Sequence, residues 1–93
     1  MCPDLFTALD GDVPGAGLTR GYDSSLQQCA DDCTARLECN GFAHSEKAHQ
    51  CKLVKQKVPT APKYGDYQFC SKTGNNFEYL DYILKAYISH NLS

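Results

Sequence analysis

Four of the six cysteines fall between Cys29 and Cys51, and the first two of these are four residues apart. No other feature limits the possible folds as much. Upstream, Ser25-Leu26-Gln27-Gln28 has the S-x-x-Q form of a helix capping box. In that arrangement Ser25 accepts from the Gln28 N–H and the Gln28 side chain reaches back to the Ser25 amide. Leu26, Cys29, Ala30, Cys33 and Leu37 then recur at helical spacing, while Asp31, Asp32 and Arg36 fall on the opposite side. The pattern predicts a short helix with two sulfurs on its apolar face, ended by Asn40-Gly41. Gly41–Ala43 and Gln50–Val54 follow as two short strands. A helix carrying Cys29 and Cys33, followed by a hairpin carrying Cys51, makes an α+β unit stapled by sulfur.

The rest of the chain is read in order. Cys2 to Ala8 predicts an edge strand, and Asp10 to Gly17 a turn-forming loop. Leu18 to Tyr22 predicts a strand leading into the helix, Val58 to Pro62 an extended loop, and Tyr67 to Lys72 a final strand. In that last strand Phe69 and Cys70 point to opposite faces. A bulge or strand end near Cys70 would reconcile that with a single buried face. Thr73 to Asn76 reads as a linker and Phe77 to Leu92 as a second amphipathic helix. Its stripe is Phe77, Leu80, Leu84, Tyr87 and Ile88, with Asp81 and Lys85 paired on the other side. That division gives a module over residues 2–72 and a linker with a C-terminal helix over 73–93. The stripe predicts self-association or contact with a partner chain. Asn91-Leu92-Ser93 is an N-glycosylation sequon.

The cysteine frame resembles that of the PAN/apple family of extracellular modules. The matching positions are Cys29, Cys33 and Cys39, then Phe42 after small residues, then Cys51 with Leu53. Cys2 and Cys70 stand where apple-type members add an outer pair. The resemblance spans roughly residues 2 to 71. It implies one helix on an antiparallel sheet, with disulfides Cys33–Cys39, Cys29–Cys51 and Cys2–Cys70. Loop-closure entropy would make these worth roughly 2, 3 and 4 kcal/mol, without additivity for nested loops. It also implies non-catalytic recognition of a protein or glycan partner outside the cell or at its surface. The other function class in view is a structural subunit of an extracellular assembly, docked through the C-terminal helix.

Composition bounds these readings. Ninety-three residues hold one domain with a small core, and an even number of cysteines at this density points to a disulfide framework in an oxidising compartment. Cysteine count alone leaves the connectivity open. Against export, Met1-Cys2-Pro3-Asp4 begins no basic and apolar leader, so a mature fragment or excised domain is the simpler explanation. No window is apolar enough to span a membrane.

Charge is uneven. Residues 1–46 hold eight acids and two arginines, whereas residues 47–93 hold seven lysines and three acids. Lys47, His49, Lys52, Lys55 and Lys57, with Lys63 beyond them, form a basic segment that would suit an acidic glycan or protein. A solvated hairpin is the plainer reading, because Lys52 and Lys55 point to opposite faces of a strand. A net charge of −2 without interleaved aromatics speaks against nucleic acid. Cys29, Cys33, His44 and His49 approach a zinc-finger spacing, but the first pair sits on a helix and four cysteines are left over. Asp10-Gly11-Asp12 lacks the further ligands of a calcium loop. No metal or other cofactor is expected. His44 and His49 read as surface histidines with no orienting carboxylate, so no catalytic group is assigned.

Overall fold

A computed structural model describes residues 1–73. The stripe Phe77, Leu80, Leu84, Tyr87, Ile88 and the sequon at Asn91 lie outside the described residues. The elements are β1 (Phe6–Leu9), β2 (Tyr22–Asp23), α1 (Leu26–Thr34), β3 (Gly41–Ser45), β4 (Gln50–Val54) and β5 (Gln68–Lys72). The five strands form one antiparallel sheet in the order β1-β5-β3-β4-β2, with α1 packed on one face.

Ser25 caps α1 as its sequence suggests, its Oγ accepting from the Gln28 N–H at 3.1 Å. The reciprocal half of the box is absent. The Gln28 amide donates instead to Asp32 at 2.8 Å, one turn along the helix. The helix also stops earlier than its apolar spacing predicts, at Thr34 rather than near Asn40. Arg36 donates to the Cys33 carbonyl and Cys39 to that of Arg36, so the chain tightens into successive turns closed by the Cys33–Cys39 disulfide. Lys72 reaches across from β5 and donates to the carbonyls of Cys33, Arg36 and Cys39 at 3.0–3.3 Å, taking up acceptors left over at the helix end. Burial pushes the pKa of this ammonium below the ordinary lysine range, opposed by Glu38. Leu37 is therefore not part of the buried stripe and is 69 % exposed.

Three strand assignments shift. β1 begins at Phe6, and β2 shortens to two residues because Leu18 and Thr19 both donate to the Leu53 carbonyl outside any ladder. β3 runs on to Ser45, and all five of its residues are buried. No bulge interrupts β5, whose register on β3 and β1 is continuous.

The buried pattern of β3 and β5 has one cause: the sheet is covered on both faces. Phe42, Cys51, Leu53 and Cys70 face the helix, with Cys29, Ala30 and Cys33 above them. Phe69 and Val54 face the other way, under Val13 and Leu9. That second layer is made by the loops on either side of Asp12 and Ala61. The Asp12 N–H donates to the Ala61 carbonyl at 2.8 Å, and the N–H groups of Thr60 and Ala61 return to Asp12. Gly11, at φ +133°, allows the contact, because a Cβ there would stand 2.5 Å from Pro59 Cβ. Gly41 permits a second close approach, with Phe69 Cζ 2.6 Å from where its Cβ would be. The disulfides are Cys2–Cys70, Cys29–Cys51 and Cys33–Cys39, and no described cysteine is free. The second of them staples α1 to β4.

Candidate recognition site

The cleft with most chemical character opens over the loop-covered side of β4. Asp12, Gly21, Gln50, Lys52, Tyr64 and Tyr67 line a volume of about 240 Å³. Each wall follows from local sequence. Tyr64-Gly65-Asp66-Tyr67 closes a tight turn in which the Tyr67 N–H donates to the Tyr64 carbonyl at 3.1 Å. Gly65 supplies the positive φ of 54°. The turn sets the two tyrosine rings 6.0 Å apart at a tilt of 48°, and Tyr64 is 71 % exposed. Tyr67 is half-buried beside it, so the pair offers a ligand one exposed aromatic surface and part of a second.

Asp66 holds this turn against the β3–β4 hairpin. It accepts from Ser45 Oγ at 2.6 Å and from the Lys47 N–H at 3.1 Å, and Ser45 in turn accepts from the Ala48 N–H. These donors, Ser45 first, lower the Asp66 pKa below the ordinary carboxylate value. A depressed pKa in the folded state means that the latch stabilises the fold above the unfolded carboxylate pKa. That contribution is lost as pH falls through the lower folded value. Asp66→Asn is therefore expected to lower the urea midpoint at pH 7 and to bring it closer to the wild-type value in strong acid. Equal wild-type and variant midpoints at every pH would show that the latch contributes nothing.

Lys52 stands in the cleft wall, but its ammonium is engaged. It donates to the carbonyls of Val13 and Gly15, pinning the loop that forms the second layer. On the far side of β4, a groove lined by Thr19, Tyr22, Asp32 and Arg36 is more open. The Tyr22 hydroxyl donates to Asp32 at 2.7 Å and is 3.2 Å from Cys51 Sγ. Burial and the neighbouring carboxylate push its pKa well above the ordinary tyrosine value.

Among family models, that of the PAN domain matches residues 11–81, well over half of the chain. The chain belongs to the PAN domain family. PAN domains are protein- and carbohydrate-binding modules of extracellular proteins. The match begins after Cys2 and β1 and runs past Lys72. No curated protein and no solved structure matches this PAN domain.

The PAN fold does not gather the basic segment into one patch. Lys47 and His49 sit at the β3–β4 turn, whereas Lys55 and Lys57 follow the other end of β4, roughly 13 Å of strand away. The Lys55 and Lys57 carbonyls accept from Asn40 and from Ser71, which fixes their backbone while leaving both residues exposed at the surface. His49 takes a positive φ of 54° in the turn, and its Nδ1 pairs with Asp23. His44 corrects the expectation of a surface histidine, being only 3 % exposed. It points toward the start of α1, and its Nε2–H donates to the Ser24 carbonyl at 2.8 Å. The zinc spacing is dissolved chemically, since Cys29 and Cys33 are spent in separate disulfides. Tyr64 and Tyr67 were not singled out as binding residues in the sequence. The signal available was two tyrosines flanking a Gly-Asp turn, and it carries meaning only once Asp12 and Gln50 are brought beside them.

Proposed function

We propose that this PAN domain is a non-catalytic extracellular recognition module whose ligand is a glycan, held through one sugar ring in the Tyr64–Tyr67 cleft. The observation that supports this most is the pairing of an exposed aromatic platform with Asp12 and Gln50 in the same small cleft. A sugar ring has an apolar C–H face and an equatorial rim of hydroxyls, so it needs one aromatic surface and a few planar hydrogen-bonding groups. Drug-sized ligands occupy clefts of roughly 300–1,000 Å³. A volume of about 240 Å³ suits a smaller group. The three disulfides agree with an oxidising, extracellular setting.

A glycan array probed with the full chain, followed by calorimetry on the best hit, tests the reading. Tyr64→Ala is expected to weaken binding at least about tenfold, the equivalent of roughly 1.4 kcal/mol. Because Tyr64 is exposed, the unfolding midpoint should scarcely change. An empty array, or a Tyr64→Ala protein that binds its glycan as well as wild type, overturns it. Lys52→Met is a poor probe of the same site, because it also releases the loop at Val13 and Gly15.

A further inference from the structure

Among the described residues, the edge of the sheet farthest from β2 carries no further strand. β1 is terminal in the strand order and pairs only with β5. Thr73 donates to the Leu5 carbonyl, which makes that pair a hydrogen-bonded one. Along the register Phe6↔Lys72, Thr7↔Ser71, Ala8↔Cys70 the bonds then alternate. Thr7 bonds inward to β5, and the peptide groups of Phe6 and Ala8 point outward. The Phe6 N–H is taken by the Pro3 carbonyl at 3.2 Å. The Ala8 N–H, the Ala8 carbonyl and the Phe6 carbonyl have no partner among the described residues. Between Phe6 and Leu9 there is no proline, lysine or bulge of the kind that commonly blunts a free edge.

Two further observations bear on what pairs there. Leu5, at the start of the edge, is held at φ 74° and is 65 % exposed. A branched L-residue adopts that conformation only under constraint, and here it leaves an apolar side chain at the surface beside the open strand. Carboxylates flank the edge strand in the chain, Asp4 before it and Asp10 after it. If two copies paired antiparallel along β1 with Phe6 opposite Ala8, the acidic flank of each, Asp4 at one end and Asp10 at the other, would be brought toward the acidic flank of its partner. Like charges brought together in this way oppose that pairing. The same carboxylates favour lysine or arginine at both ends of an incoming strand.

We infer that the free edge of β1 is a docking site for an extended, basic segment of a partner protein, which adds to the sheet as a sixth strand. Backbone bonds to Phe6 and Ala8 supply affinity, Leu5 supplies an apolar contact, and Asp4 and Asp10 select the ends. β1 and the Tyr64–Tyr67 cleft lie toward opposite edges of the sheet, so occupancy of one leaves the other open.

The test uses the full chain, isotope-labelled, and an acetylated, amidated Lys-Val-Thr-Val-Thr-Lys peptide as probe. Binding should shift the amide resonances of residues 5–10, weaken with salt, and disappear when the peptide lysines are replaced by glutamate. Ala8→Pro deletes only an outward N–H and is expected to weaken binding about tenfold or more. A peptide N-methylated at alternate residues reports on the same bonds without altering the protein, and it is expected not to bind. No shift at millimolar peptide, shifts centred elsewhere, equal binding of the glutamate or N-methyl peptide, or unchanged affinity in a folded Ala8→Pro protein would each overturn the inference. So would dimerisation of the chain that Ala8→Pro abolishes.

Discussion

Replacing Cys29 and Cys51 together by alanine is expected to lower the melting temperature by roughly 12–24 °C, with the other two disulfides intact. The bridge joins α1 to β4 across a sequence separation of 22. Opening that loop returns about 3 kcal/mol of conformational entropy to the unfolded chain. In a domain of this size each kcal/mol moves the midpoint by about 4–8 °C. The helix has little to set against the loss. It spans nine residues, well below the length at which an isolated helix persists in water. Both sulfurs are fully buried in the cluster with Phe42 and Leu53, so their removal also loosens packing. Calorimetry of the double variant decides the matter. A fall of only a few degrees would mean that packing of α1 on Phe42 and Leu53 holds the helix unaided.

Truncating Phe42 is expected to cost more. Phe42→Ala should lower the unfolding free energy by roughly 3–5 kcal/mol, measured as a shift in the urea midpoint at constant slope. A domain's whole stability is of order 5–15 kcal/mol, so the variant would approach the folding threshold at body temperature. Phe42 is fully buried beneath α1, and Phe6 lies edge-on to it with ring centroids 5.0 Å apart at 68°. It therefore ties the helix, the central strand and the β1 edge into one cluster. Phe42→Leu retains most of the volume and should cost less than half as much. Equal losses for the two variants would show that the site tolerates a cavity and that its burial is incidental.

The two substitutions probe parts of the molecule that were legible in the chain to different degrees. A capped run with Cys29, Ala30 and Cys33 on one face can form only a short helix with its sulfurs buried. The C-x-L stretch at Cys51 and Leu53 and the Phe69-Cys70 pair inside Gln68–Lys72 had to be strands for similar local reasons. These are periodicities, and periodicity is written in neighbouring residues. The end of α1 was not legible in this way. Leu37 continues the helical stripe, but Cys39 and the distant ammonium of Lys72 close the turn first. A lysine on the final strand gives no local sign that it will cap a helix.

The sequence determined by itself that the chain makes one disulfide-rich module, with a capped helix before a hairpin. It did so because spacing and capping act over a few bonds. Tertiary structure alone decided that the sheet is covered twice. Val13 and Val54 meet Phe69 only when the Asp12 and Ala61 loops fold together over one face of the sheet, whereas His44 is buried on the other face against Ser24 at the start of α1, and Ser45 where Asp66 latches onto it. It likewise decided that Lys52 anchors a loop, and that Tyr64 and Tyr67 stand beside Asp12 and Gln50. Those contacts join residues from 14 positions apart, for Gln50 and Tyr64, to 56, for Val13 and Phe69. Their geometry depends on the path of the intervening chain, which the local pattern of side chains does not encode.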